Sequence, residues 1–163
     1  NTKKFLGIIF LETGSSKLND PQFKYKHRNK DWGMENWSKL AQILIKNFLI
    51  IQTIHKESLK VENVFYCDQD FRTSCAVMKN SDLYLGPEGG FSHAAAALSK
   101  TAVVYFGGWI SPNITGYKMH TNIYADLEGS PCGAKSYICN HCKKCREFIK
   151  PENIYQKVKD LFN

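Results

Sequence analysis

The stretch from Leu83 to Leu98 limits the fold more sharply than any other part of the chain. An apolar triplet, Leu83-Tyr84-Leu85, runs into Gly86-Pro87-Glu88-Gly89-Gly90, and an alanine-rich segment, Ala94 to Ala97, follows Phe91-Ser92-His93. Apolar residues stopped by Gly-Pro read as a strand, and alanine is the strongest helix former, so the chain turns from strand to helix within a few residues. Open parallel sheets bind ligands where strands end in this way. Paired glycines let a ligand approach the backbone. A helix N-terminus adds unpaired N–H groups and about half a positive charge, a seat for phosphate. The amides of Gly89, Gly90 and Phe91 are therefore candidate phosphate contacts, with Glu88 and His93 beside them for sugar or phosphate oxygens. A plain glycine-rich turn capped by Ser92, with a surface histidine, accounts for the same local chemistry.

The same alternation runs through the chain. Residues 5–11, 49–53, 64–66, 83–85 and 101–106 read as strands. Trp37, Leu40, Ala41, Leu44, Ile45 and Phe48 recur at helical spacing and predict a helix over 35–48. Further helices are expected over 71–80 and 92–98, and from Pro151 to the end, where Ile154, Tyr155, Val158, Leu161 and Phe162 form the apolar face. Residues 12–31 and 107–150 read as loops. Strands alternating with helices predict an α/β domain, a Rossmann-like and mainly parallel sheet with helices on both faces. At 163 residues and 43% hydrophobic, the chain has enough apolar material for one core. One domain over 1–163 is expected, with a Cys-rich segment at 131–146 and a closing helix at 151–162.

No apolar run reaches the ~18 residues of a membrane span. Asn1-Thr2-Lys3-Lys4 leads straight into a strand-like run, unlike a secretory signal. A first residue that is Asn rather than Met is expected of a processed protein or a fragment. Twenty-two Lys and Arg against fifteen Asp and Glu give a net charge of +7, which favours anionic partners. Basic residues gather at Lys17, Lys24, Lys26, Arg28 and Lys30, and again at Lys143, Lys144, Arg146 and Lys150.

Cys132, Cys139, Cys142 and Cys145 have the spacing C-x6-C-x2-C-x2-C, with His141 among them. Thiolates so spaced suit a structural zinc. The same run suits an iron–sulfur cluster, and free thiols are a third reading. A disulfide framework is not expected in a chain with a sizeable core and no signal. Cys67 and Cys75 read as ordinary core residues.

Residues 83–98, followed by Val103-Val104-Tyr105-Phe106-Gly107, resemble the signature of the heptosyltransferase family, glycosyltransferase family 9. Its pattern has an acidic residue, a small residue and Gly, then His and Ala-x-Ala-Leu, then a strand ending in Gly. Glu88 stands at the acidic position, where many members carry Asp. Lys30-Asp31-Trp32-Gly33-Met34-Glu35-Asn36-Trp37 resembles the family's Lys-x-Trp segment before the first helix of the donor domain. The resemblance implies one half of a GT-B glycosyltransferase, the C-terminal, donor-binding half. It implies donor phosphate binding by Lys30 with hydroxyls at the preceding strand end, where Thr13, Ser15 and Ser16 stand. It also implies a ribose contact at Glu57 and contacts from Thr115 and Gly116 in the loop after the fifth strand.

The expected partners are a nucleotide-diphosphate sugar, a glycan or lipid-linked acceptor of lipopolysaccharide type, and an N-terminal half holding the acceptor and the catalytic base. No residue of this chain is a convincing base. No cofactor is expected for catalysis, only the structural zinc, and no nucleic acid. The expected location is cytoplasmic, with a peripheral place on the inner membrane face left open. Two other classes compete: a nucleic-acid-binding module built on the basic Cys cluster, and a sugar-nucleotide epimerase sharing the Gly-Gly turn.

Overall fold

The computed structural model describes residues 4–14, 30–56, 58–134 and 139–163. Six strands form one sheet: β1 (Gly7–Leu11), β2 (Phe48–Ile54), β3 (Phe65–Asp68), β4 (Leu83–Pro87), β5 (Ala102–Gly107) and β6 (Thr121–Tyr124). Their order is β3-β2-β1-β4-β5-β6, and every pairing is parallel. The helices are α1 (Met34–Leu44), α2 (Phe71–Lys79), α3 (Gly90–Ala97), the single turn α4 (Pro112–Thr115), α5 (Asn140–Phe148) and α6 (Pro151–Asp160). The sheet is therefore wholly parallel, where a mainly parallel one was expected.

Alternation along the strands sorts the core into two layers. Ile9, Leu11, Leu83, Leu85, Val103 and Tyr105 face the side covered by α1, α5 and α6, with Trp32, Trp37, Leu40, Ile154 and Val158 packed on them. Phe10, Tyr84, Ala102, Val104 and Phe106 face the other side, under Met78 of α2 and Ala95 of α3. The α3 helix meets the sheet through Phe91 at its start and through the small Ala94 and Ala95 behind it.

Several boundaries differ from the sequence reading, each for a tertiary reason. The α1 helix stops at Leu44, and Phe48, read as its last residue, opens β2 because it pairs with Gly7 in the ladder. Phe5 and Leu6 lie outside β1 and are exposed. Residues 107–150, read as loop, contain α4, β6 and α5. The β6 strand is a polar edge, Thr121-Asn122-Ile123-Tyr124, that shows no clear alternation. The buried face of α5 is carried by Cys142 and Cys145, residues that do not register as a helical apolar stripe among lysines. The closing helix ends at Asp160, and Leu161 follows as an exposed residue.

Candidate functional site

Connections leave β1 and β4 toward opposite edges of the sheet, so the strand order reverses between these two neighbours. Ligand crevices of parallel sheets open at such a point, beyond the carboxyl ends of the strands. Here β1 and β4 approach closely because residue 86 is glycine. A Cβ there would lie 2.5 Å from the Tyr84 hydroxyl and 3.0 Å from Glu12 Cβ. Tyr84 is fully buried, and its hydroxyl lies 2.7 Å from Glu12 Oε2, to which it donates, and 3.0 Å from the Pro87 carbonyl. Burial first, and the Glu12 charge second, push its pKa well above the usual phenol value.

On one side of the reversal a cavity of about 230 Å³ opens over the ends of β1, β2 and β3. Glu12, Thr13 and Gly14 form one wall and Thr53, Ile54 and His55 another, with Ser58 and Gln69 beyond. Phe71 and Phe91 close it, their rings 4.8 Å apart. Phe91 also packs on Phe10, at 5.5 Å, so its ring is held by the core.

On the other side charged groups gather at the start of α3. Lys30 Nζ lies 2.7 Å from Glu88 Oε2, and the Glu88 side chain is only 7% exposed. His93 Nε2 lies 3.8 Å from Glu88 Oε1, while its Nδ1 is 2.9 Å from the Tyr117 hydroxyl. The Lys30 ammonium also stands 5.5 Å from the centre of the Trp109 ring. Its position follows from Trp32, two residues on. That ring is fully buried, meets Trp37 edge-on at 4.9 Å, and donates from Nε1 to the Ile149 carbonyl at 3.1 Å. The Lys-x-Trp segment is thus an anchor and a charge in one piece.

The two glycines differ in what they provide. The N–H of Gly89 is occupied by Ser92 Oγ at 3.0 Å, and Ser92 donates back to the Gly89 carbonyl at 2.8 Å. The first helical bond comes from the His93 N–H. Gly90 and Phe91 therefore carry N–H groups with no acceptor inside the helix. The backbone of Gly89 is extended, and a Cβ on it would meet only Lys30 Nζ, at 3.8 Å. Packing does not require glycine there, and its absent side chain keeps the space beside Lys30 open.

The cysteine segment adjoins this site. The Cys132 and Gly133 N–H groups donate to the carbonyls of Gly108 and Trp109, both at 2.9 Å. A Cβ on Gly108 would lie 2.7 Å from Cys145 Sγ. Cys139 caps α5, with its sulfur 3.4 Å from that of Cys142, and Cys145 Sγ is 3.6 Å from His141 Nε2. Hydrogen bonds from the Cys142 backbone and thiol hold the Cys139 thiol below its usual pKa, while burial pushes Cys142 up to about 11. Among the described residues, no group of three or more His, Cys, Asp or Glu is placed to hold a metal ion.

Of the residues singled out from sequence, Lys30, Glu88, Gly89, Gly90, Phe91 and His93 come together, and Thr13 lines the adjoining cavity. Ser15, Ser16 and Glu57 lie outside the described residues. Thr115 and Gly116 close α4 and lead into Tyr117, the residue that touches His93. The sequence reading missed Tyr117 and Trp109, and also Glu12, His55, Gln69 and Phe71 in the cavity. All but Tyr117 share a signal, a position just past the end of a strand, which the rule for parallel sheets would have marked.

No protein-family model matches the sequence, and no curated protein does. Solved structures do match it. With E. coli ADP-heptose lps heptosyltransferase II the TM-score is 0.69 at 14% identity, over 99% of this chain and 47% of that one. TibC of E. coli, an iron-containing dodecameric heptosyltransferase in complex with ADP-D-beta-D-heptose, gives 0.70 at 12%, over 99% and 45%. A family 9 glycosyl transferase of Veillonella parvula gives 0.67 at 16%, over 99% and 47%. The chain thus spans less than half the length of each of these structures. Its fold, along nearly its whole length, is heptosyltransferase-like, as the motifs at residues 30–37 and 83–98 implied.

Proposed function

We propose that this chain is the donor-binding half of a glycosyltransferase that uses a nucleoside-diphosphate sugar. The observation carrying the reading is the convergence of Lys30, Glu88 and His93 on the open amides of Gly90 and Phe91, beside a nucleoside-sized cavity at the reversal of strand order. The nucleoside occupies the cavity, with its base near Phe71 and Phe91 and Glu12 within reach of the ribose. The diphosphate crosses to the start of α3, and the sugar lies toward Glu88, His93 and Tyr117. ADP is the first nucleotide to try, because the solved structures of similar fold include complexes with ADP and ADP-heptose.

Transfer breaks the bond from the sugar to the diphosphate, and negative charge grows on the leaving phosphate. Groups aimed at that charge stabilise the transition state more than the ground state. Lys30 neutralises it, and the Gly90 and Phe91 amides donate to it. In the unliganded protein Glu88 holds the lysine in place. With donor bound, Glu88 shares the cation and accepts from a sugar hydroxyl. His93, oriented by Tyr117, donates to a sugar or phosphate oxygen. We assign the acceptor, of glycan or lipopolysaccharide type, and the base that deprotonates it to a companion domain. The reading places the protein in the cytoplasm or on the inner membrane face. Among the described residues no helix is long and apolar enough to cross a membrane.

A DNA-binding module would leave the Gly-Gly site without a role, and the solved structures of similar fold named above are glycosyltransferases rather than epimerases. Calorimetry with ADP, GDP, UDP and a short DNA duplex separates the donor-binding reading from the module. ADP should bind, and Lys30→Ala should weaken it by tenfold or more, ~1.4 kcal/mol or above. Absence of nucleotide binding, or a Lys30→Ala variant that binds as well as the parent, sinks the proposal. Salt-sensitive DNA binding in its place would support the module.

A further inference from the structure

Outside the donor site, the densest group of reactive side chains lies on and just before α5: Cys132, Cys139, Cys142 and Cys145. Two of these thiols stand within contact of each other. Cys139 is the exposed N-cap of the helix, and Cys142, three residues on, is buried beneath it. Their sulfurs stand 3.4 Å apart with no bond between them. A three-residue step sets two side chains on one helix face, here one sulfur outside and one inside. Solvent reaches the outer sulfur and not the inner one, which sets the order of attack. Cys145 is engaged elsewhere, against Gly108 and His141.

We propose that Cys139 and Cys142 form a reversible thiol–disulfide pair, with Cys139 as the attacking sulfur, Cys142 as the resolving one, and a small glutathione-type disulfide as the partner. The Cys139 thiolate attacks one sulfur of that disulfide. A new S–S bond forms, and the other half leaves as a thiolate with the bonding electron pair. Cys142 then loses its proton and attacks the Cys139 sulfur, expelling the second thiolate. The two protein thiols are oxidised, and one external disulfide is reduced to two thiols. Nothing in this inference depends on the donor site.

The test equilibrates the full chain with varied ratios of reduced to oxidised glutathione, followed by intact mass and peptide mapping after alkylation. The expected result is loss of two hydrogens and a Cys139–Cys142 link. In the reduced protein Cys139 should alkylate about tenfold faster than Cys142 or more. Cys142→Ser should accumulate glutathione on Cys139. If that variant does not fold, Cys139→Ser, at an exposed position, should remove the link while unfolding at the same denaturant concentration as the parent. Three results overturn the proposal: no link between these residues at any ratio, links scrambled among the four thiols, or stoichiometric zinc or iron that shields all four until chelated.

Discussion

The two faces of the sheet are built from different materials. Under α1, α5 and α6 lie Trp32, Trp37 and Tyr105, ring on ring, the bulkiest buried group in the chain. Under α2 and α3 lie Phe10, Tyr84, Phe106 and Met78, with two small residues, Ala95 and Ala102, where α3 meets the sheet. The aromatic face supplies stability and, through Trp32, the position of Lys30. The alanine face supplies proximity, which sets the first amides of α3 beside the ends of β1 and β4. One face holds the charge and the other holds the dipole that a diphosphate would meet.

The largest effect should come from the aromatic face. Trp32→Ala should cost about 3–5 kcal/mol in chemical denaturation. It should also weaken ADP binding, because Lys30 loses its anchor. A loss below ~1 kcal/mol would mean that the aromatic stack is not what holds this face. Next, Ala95→Leu overfills the fully buried site under α3 and should cost about 1–3 kcal/mol. If α3 must lie close to the sheet to bind phosphate, nucleotide affinity falls in the same variant, and unchanged affinity would separate closeness from function. Gly89→Ala should leave stability within ~0.5 kcal/mol, since the added methyl meets only the tip of Lys30. It should still reduce ADP affinity about tenfold by entering the diphosphate's path, an effect near 1.4 kcal/mol read by calorimetry.

The smallest effect concerns pH. His120 packs against Tyr117, and burial holds its pKa below the ordinary histidine value. As pH falls, the unfolded chain therefore takes up this proton before the folded one does. Stability present above about pH 6.5 is lost as the pH drops toward the folded value. The melting temperature should decline by about 2 °C or less over that interval, and His120→Gln should flatten the decline. A rise in stability on acidification would reverse the assignment of burial as the dominant cause.

Among the described residues, five of the six strands and four of the six helices were legible, the strands as short apolar runs stopped by turn residues and the helices by a period near 3.6 or an alanine run. Phe48 was misplaced because its spacing suits the helix before it as well as the strand it opens. Ladder pairing with Gly7 decides between them. The β6 and α5 elements escaped because a polar edge strand needs no alternation, and because α5 buries cysteines among lysines. In the site, Lys30, Glu88 and His93 were legible as motif residues. Tyr117 was not, because nothing local ties it to His93, twenty-four residues away.

By itself, the order of residues determined that strands and helices alternate, that a glycine pair opens an alanine helix, and that a lysine precedes a tryptophan anchor. These are local matters of period, propensity and turn chemistry, and neighbours along the chain suffice to set them. Tertiary structure alone decided that β1 lies beside β4, that Lys30 meets Glu88 across fifty-eight residues, and that Tyr117 meets His93. Such contacts depend on which strand pairs with which, and that is settled by burying two apolar faces together.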